Sequence, residues 1–254
     1  MQIILAVTPG EGQTASNYHR TLAHVAYRIG SDSSLLRANL LLKTSGGLLC
    51  INDREAPVIE NPSVLCQAVL RECGRRNYQG VLLDFESPPQ KDRTAFIRQL
   101  EQILAPRRIP LYLPENHVPP SSRSIPLICT AISGGNFKQR LQEAIQHWGN
   151  PRRMALDVQR LRMDFRLPAP TGEGVPLSLD AFQRLFQKEN PAVFFSPDLC
   201  ARYFTYSRNG ETHFVLFDDA DTLRQKLKLG NSLGFSAAFF IWPEINDIAD
   251  ALFR

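Results

Sequence analysis

The chain has 254 residues, of which 43% are hydrophobic and 21% charged, with a formal net charge of +4. Those values describe a folded globular protein able to bury a full core; they exclude a disordered chain and a small scaffold held by staples. Basic residues occur only as scattered pairs such as Arg75-Arg76, Arg107-Arg108 and Arg152-Arg153, so solvated surface is expected and not a nucleic-acid patch.

Residues 3–7 read as a first strand. They lack a basic leader and are too short for a signal peptide, and no apolar run is long enough to cross a membrane. Pro9-Gly10-Glu11-Gly12 breaks that strand, and residues 16–29 have helical spacing with Ser16 as cap. Residues 35–42 are apolar and predict a strand, as do residues 48–52 after Gly46-Gly47. Residues 62–77 predict a helix: Val64, Leu65, Ala68, Val69 and Cys73 recur at helical spacing, and Pro62 suits the first turn.

Residues 78–86, Tyr-Gln-Gly-Val-Leu-Leu-Asp-Phe-Glu, predict a buried strand ending in two carboxylates. Alternation puts Val81, Leu83 and Phe85 on one face and Leu82, Asp84 and Glu86 on the other. Two acids close together in a poorly solvated place cannot both ionise freely, which raises one pKa and supplies a general acid near neutrality. An acid at a strand end can also be a plain helix cap or half of an ion pair.

Residues 92–104 predict a second amphipathic helix. Residues 110–114 and 126–132 predict short strands, 137–148 a helix and 154–158 another strand. Such alternation means parallel βα units with right-handed crossovers. The expectation is a single α/β domain over residues 1–254, a (β/α)8 TIM barrel, whose active sites gather at the carboxyl ends of the strands. An open doubly wound sheet is the alternative, but no GxGxxG follows the first strand.

The pattern changes over residues 168–217, read as a small α+β insertion before the last helix–strand unit. Residues 178–188 predict a helix. Arg208-Asn209-Gly210 between residues 201–207 and 211–217 is a strong hairpin signal. Residues 221–233 return to helix, Gly234 ends it, residues 236–242 form a last buried strand and 246–253 a closing helix.

Two segments together resemble glycoside hydrolase family 18, nearest its spore-cortex and peptidoglycan-acting branch. One is residues 77–102, the acidic strand followed by Gln90-Lys91-Asp92-Arg93 and a helix. The other runs from His213-Phe214-Val215-Leu216-Phe217-Asp218-Asp219-Ala220 to the strand ending in Trp242. The resemblance implies a (β/α)8 barrel acting on N-acetylglucosamine-containing glycan, peptidoglycan or chitin-like. It implies a retaining mechanism in which the substrate's acetamido oxygen is the nucleophile. By position Glu86 would be the catalytic acid, Asp84 the carboxylate that orients the acetamido group, and Trp242 the aromatic floor under the sugar, since sugar C–H faces stack on indole. Neither metal nor cofactor is called for.

The chain also departs from that pattern. The motif's first Asp falls on Gln79 and its second on Leu82, so Asp84 needs a different proton partner; the family's Tyr after the sixth strand falls near Ala131. A degenerate barrel that binds glycan or a cell-envelope partner without cleaving it is the alternative, and an assembly protein with no glycan site is a third reading.

Further candidates for substrate contact are Tyr112 and Glu115 on the strand at 111–115, and Asp157 and Gln159 at the end of the strand at 154–158. Glu244 reads as a helix-start acid and Ser133-Gly134-Gly135-Asn136 as a loop and cap. The five histidines show no concerted metal spacing. The five cysteines include no CxxC pair and read as buried free thiols. The missing leader leads us to expect a cytoplasmic protein or one deposited from inside a sporulating cell. Oligomeric state is not legible.

Overall fold

The computed structural model describes residues 1–19, 21–38, 44–54, 56–169 and 172–254. Its main sheet contains β1 (Gln2–Val7), β2 (Leu22–Ile29), β3 (Leu35–Arg37), β4 (Leu48–Asn52), β5 (Gly80–Asp84), β6 (Leu111–Pro114), β7 (Ile125–Cys129), β8 (Ala155–Val158) and β14 (Ala237–Ile241). The order β1-β14-β8-β7-β6-β5-β4-β2 closes through a β1–β2 pairing, giving an eight-stranded barrel, and β3 is an antiparallel extra on β2. The helices between strands include α1 (Gly12–Ser16), α2 (Pro62–Arg76), α3 (Lys91–Leu104), α4 (Phe137–Trp148) and α6 (Ala220–Leu233). This is a (β/α)8 barrel in which β2 leads into β3 and β6 into a short 3-10 turn, Glu115–His117.

By contacts the chain divides into two compact units. The first holds residues 1–128, 150–157 and 235–246; the second holds 129–149, 158–234 and 247–254.

In the first unit, alternation along the strands sorts side chains into two layers. Ile4, Ala6, Ala23, Leu48, Cys50, Leu82, Tyr112, Leu127, Ala155, Ala237 and Phe239 fill the lumen. Leu49, Ile51, Val81, Leu83 and Phe85 point outward onto Leu65, Val69 and Cys73 of α2 and Phe96, Ile97 and Leu100 of α3. Strands buried on both faces read as continuous apolar runs. Helix α2 is punctuated as expected: the Asn61 side chain accepts from Val64 N at 3.3 Å, Pro62 opens the first turn, and Asn77 closes it at φ 54°.

The main correction concerns residues 16–29. They are not a helix: α1 stops at Ser16 and β2 occupies Leu22–Ile29. A bulge between Val25 and Tyr27 explains the misreading. Ala23 and Val25 face the lumen, whereas Ala26, Tyr27 and Ile29 face the helix layer. One extra residue shifts the parity, so apolar positions recur at spacings of three and four, as in a helix. Of the strand expected over 35–42, Leu35–Arg37 is present, and 39–43 lie outside the described residues. Gly47, at φ 66°, lets β4 close beside β2: a Cβ there would lie 2.1 Å from the Leu22 carbonyl oxygen.

The second unit holds a five-stranded sheet in the order β10-β9-β13-β12-β11. Its strands are β9 (Arg162–Leu167), β10 (Val175–Pro176), β11 (Phe194–Ser196), β12 (Ala201–Arg208) and β13 (Glu211–Phe217). The sheet therefore takes in residues ahead of 168, where the change of pattern was read. Helix α5 (Leu179–Glu189), capped by Ser178, lays Phe182, Leu185 and Phe186 on Phe204, Val215 and Phe217. Asn209 and Gly210 both have positive φ, 53° and 78°, as a two-residue type I′ hairpin needs. Asp219 and Thr222 form a capping box on α6, and Gly234 closes that helix at φ 91°. Nearby, Lys226 and Asp218 form an ion pair at 2.8 Å with both side chains 0% exposed.

Candidate active site

The fourth barrel strand, β5, carries the acidic pair. Leu82 lies in the lumen, and Asp84, two residues on, shares its face at the carboxyl end. The strand stops there, and Phe85 still packs in the helix layer with Val81 and Leu83. Glu86 is thus beyond the strand, its side chain 47% exposed, and does not share the position of Asp84 as strict alternation predicted.

Parallel pairing sets Asn52, the last residue of β4, opposite Asp84. The Asn52 side-chain amide donates to the Asp84 carboxylate and to its main-chain carbonyl, each at 3.4 Å. Asn52 thus gives Asp84 a hydrogen-bond donor from the neighbouring strand. Burial pushes the Asp84 carboxyl above its ordinary value; the Asn52 hydrogen bond opposes the shift, and the nearby Glu86 charge adds to it.

Glu86 is held instead by Arg54, from the loop after β4. Arg54 Nε donates to both carboxylate oxygens at 2.8 Å, and Nη2 lies 2.6 Å from Oε1. The backbone of Glu86 is fixed separately. Buried Asp53 accepts the Glu86 N–H at 2.8 Å and the Ser87 N–H at 3.4 Å, and it also binds the Ser87 hydroxyl. Ser87's carbonyl accepts from His117 Nε2 at 2.9 Å, so the neutral ring carries its proton on Nε2. Burial lowers the His117 pKa.

Arg93 completes this support from α3. It is buried, donates to the carbonyls of Pro57 at 2.9 Å and Ala56 at 3.1 Å, binds Asp92, and lies 4.0 Å from Asp53. Asp92 in turn accepts the Ile59 N–H at 2.8 Å. The Asp92-Arg93 pair quoted for the resemblance thus ties the loop after β4 to the start of α3.

The other candidates fall in several places. Tyr112 is buried in the lumen, its ring centroid 4.9 Å from that of Phe239, so it is core filling and not an open contact. Asp157 is on the lumen-facing side of β8 with Ala155. Gln159 lies past the end of that strand and is exposed, in the second unit. Glu115 starts the 3-10 turn after β6 and is half-buried. Trp242 stands just after β14 but is only 2% exposed, packed on Tyr18 with centroids 5.4 Å apart. It is not the open rim platform that its place after the last strand suggested. Asn136 caps α4 through Gln139 N at 3.1 Å, as a loop-and-cap reading requires. Glu244 lies in the first turn of the short helix α7 (Trp242–Ile245).

Sequence reasoning missed Asn52, Asp53, Arg54, Ser87 and His117. One signal was available: Asn52-Asp53-Arg54 follows an apolar run, as Asp84-Phe85-Glu86 does, so two adjacent strands end alike. Among the described residues no group of three or more His, Cys, Asp or Glu side chains could hold a metal ion, and no helix is long and apolar enough to cross a membrane.

No family model and no curated protein matches this chain by sequence. Solved structures do match it. The spore cortex-lytic enzyme SleL of Bacillus megaterium QM B1551 is 16% identical with a TM-score of 0.66, over 100% of this chain and 74% of that one. A chitinase from Chromobacterium violaceum ATCC 12472 is 14% identical with a TM-score of 0.70, over 99% and 97%. A glycoside hydrolase family 18 chitinase from Cycas revoluta, solved in complex with (GlcNAc)4, is 12% identical with a TM-score of 0.68, over 100% and 97%. The likeness is one of fold, and it matches the resemblance read from the acidic strand and the carboxy-terminal segment.

Proposed function

We propose that this chain is a glycoside hydrolase that cleaves N-acetylglucosamine-containing glycan by a substrate-assisted, retaining route. The observation that carries the reading is the placement of Asp84 and Glu86: one at the lumen mouth of the fourth barrel strand, the other two residues beyond it on the rim. The family 18 fold of the neighbours supports it.

In this reading Glu86 protonates the glycosidic oxygen. The acetamido oxygen attacks the anomeric carbon as the leaving group departs, and water then opens the cyclic intermediate with Glu86 as base. Asp84, held by Asn52, orients the acetamido N–H. Asp53 fixes the Glu86 backbone, so that only the side chain has to move.

The test is release of reducing ends from N-acetylglucosamine oligomers and purified cortex peptidoglycan. Glu86→Gln should lower the rate by at least about a hundredfold, the usual worth of a general acid. Equal rates in the two chains would sink the proposal. Saturable binding without turnover would favour the second reading, a glycan-holding barrel, for which the Arg54–Glu86 pair is the supporting observation.

A further inference from the structure

We propose that Arg54 reads a carboxylate on the substrate: the glycan for this site carries carboxylates, and one of them replaces Glu86 on the Arg54 guanidinium. The inference rests on the glycosidase reading and narrows its substrate class.

Three features lead to it. First, both Glu86 oxygens are engaged by Arg54, at 2.8 Å from Nε, with Nη2 2.6 Å from Oε1. Glu86 has to leave Arg54 before it can reach a glycosidic oxygen, so the observed geometry is a resting state for an acid catalyst. Second, the pair is exposed, with side-chain exposures of 70% for Arg54 and 47% for Glu86. Exposed ion pairs are weak and exchange readily, in contrast with buried ones. Third, the planar guanidinium fork matches a carboxylate through two parallel N–H bonds, and a neutral sugar hydroxyl cannot reproduce that match.

Exchange conserves the ion pair while altering its membership. An incoming carboxylate, on a lactyl ether or a peptide stem, takes the Arg54 donors. Glu86 is then released close enough to Asp84 for that carboxyl to feel its charge. Buried Arg93, behind Asp53, is committed to Asp92 and to the carbonyls of Ala56 and Pro57. Released from the guanidinium, the Glu86 side chain is free to turn toward the glycosidic oxygen. A neutral glycan offers no replacement, and the lock stays on.

The experiment compares three substrates: peptidoglycan glycan strands with free carboxyls, the same strands with those carboxyls amidated, and neutral N-acetylglucosamine oligomers. The expected result is a kcat/KM roughly tenfold or more higher for the free-carboxyl strands, the size of one charged hydrogen-bonded contact. Arg54→Gln should erase that preference and raise cleavage of the neutral oligomers. Equal cleavage of free and amidated strands by the wild type would overturn the proposal, as would an Arg54→Gln variant that loses all three substrates by the same factor.

Binding separates failure of this idea from failure of the hydrolase reading. Glu86→Gln leaves Arg54 without its carboxylate, so it should bind free-carboxyl strands more tightly than the wild type does. Glu86→Gln combined with Arg54→Gln should not. If no chain cleaves but this binding pattern appears, the hydrolase reading falls and carboxylate recognition stands. If binding ignores the carboxyls, carboxylate recognition falls whatever the turnover.

Discussion

At the residue scale, Asp84 is the side chain whose titration should be visible in folding. Burial disfavours its anion, so the folded chain keeps this proton to higher pH than the unfolded chain does. Between the ordinary value of 3.8 and the raised folded value, the folded state binds more protons. Stability therefore falls as pH rises through that window. Asp84→Asn cannot titrate and still offers an oxygen to Asn52. It should show a flatter pH dependence and a higher unfolding midpoint at neutral pH. Denaturant titrations from about pH 4 to about pH 7 would check this, and parallel curves for the two chains would refute it. The inward orientation of Asp84 was legible because strand alternation is local. The fate of Glu86 was not, since a residue past a strand end points where its partners draw it, and Arg54 comes from the neighbouring loop.

At the element scale, two loops are bound to each other by one buried acid. Asp53 accepts from the Glu86 and Ser87 backbones and from the Ser87 hydroxyl, with Arg93 close behind it. Asp53→Ala leaves those donors unsatisfied and removes the carboxylate beside a buried guanidinium, and we expect a loss of about 3 kcal/mol. Asp53→Asn keeps one acceptor for the Glu86 N–H and should lose less. Chemical denaturation measures the stabilities; an Ala variant as stable as the Asn variant would show that the acid does not brace the loop. Elements with their own punctuation were readable in advance. Pro62 starts α2, Ser178 starts α5, and Asn209-Gly210 turns the hairpin. Strand β2 was not readable, because its bulge imitates helical spacing.

At the scale of the whole molecule, the lumen is filled by side chains from strands far apart in the chain, while the second unit depends on a buried ion pair. Asp218 bonds Lys226 at 2.8 Å and also accepts from Leu161 N at 3.1 Å and the Thr222 hydroxyl at 2.7 Å. Lys226→Met strands that carboxylate and should cost about 3–5 kcal/mol. Adding Asp218→Asn should recover part of the loss, because the amide oxygen can still accept. Thermal unfolding of the two variants tests this, and a single variant as stable as the wild type would contradict it.

Most of the order of strands and helices, β2 excepted, and the position of an acidic strand end rest on local signals. Apolar period, caps and turn residues act within a few positions of one another, and short connections leave few topologies. The set of side chains around the acids rests on long-range pairing. Asn52 meets Asp84 and Arg54 meets Glu86 across 32 positions, and Trp242 meets Tyr18 across nearly the whole chain. Those meetings exist only once the barrel closes and sets the ends of neighbouring strands side by side. That closure buries Asp84, pairs Glu86 and hides Trp242, so the chemistry of the site is a property of the folded barrel.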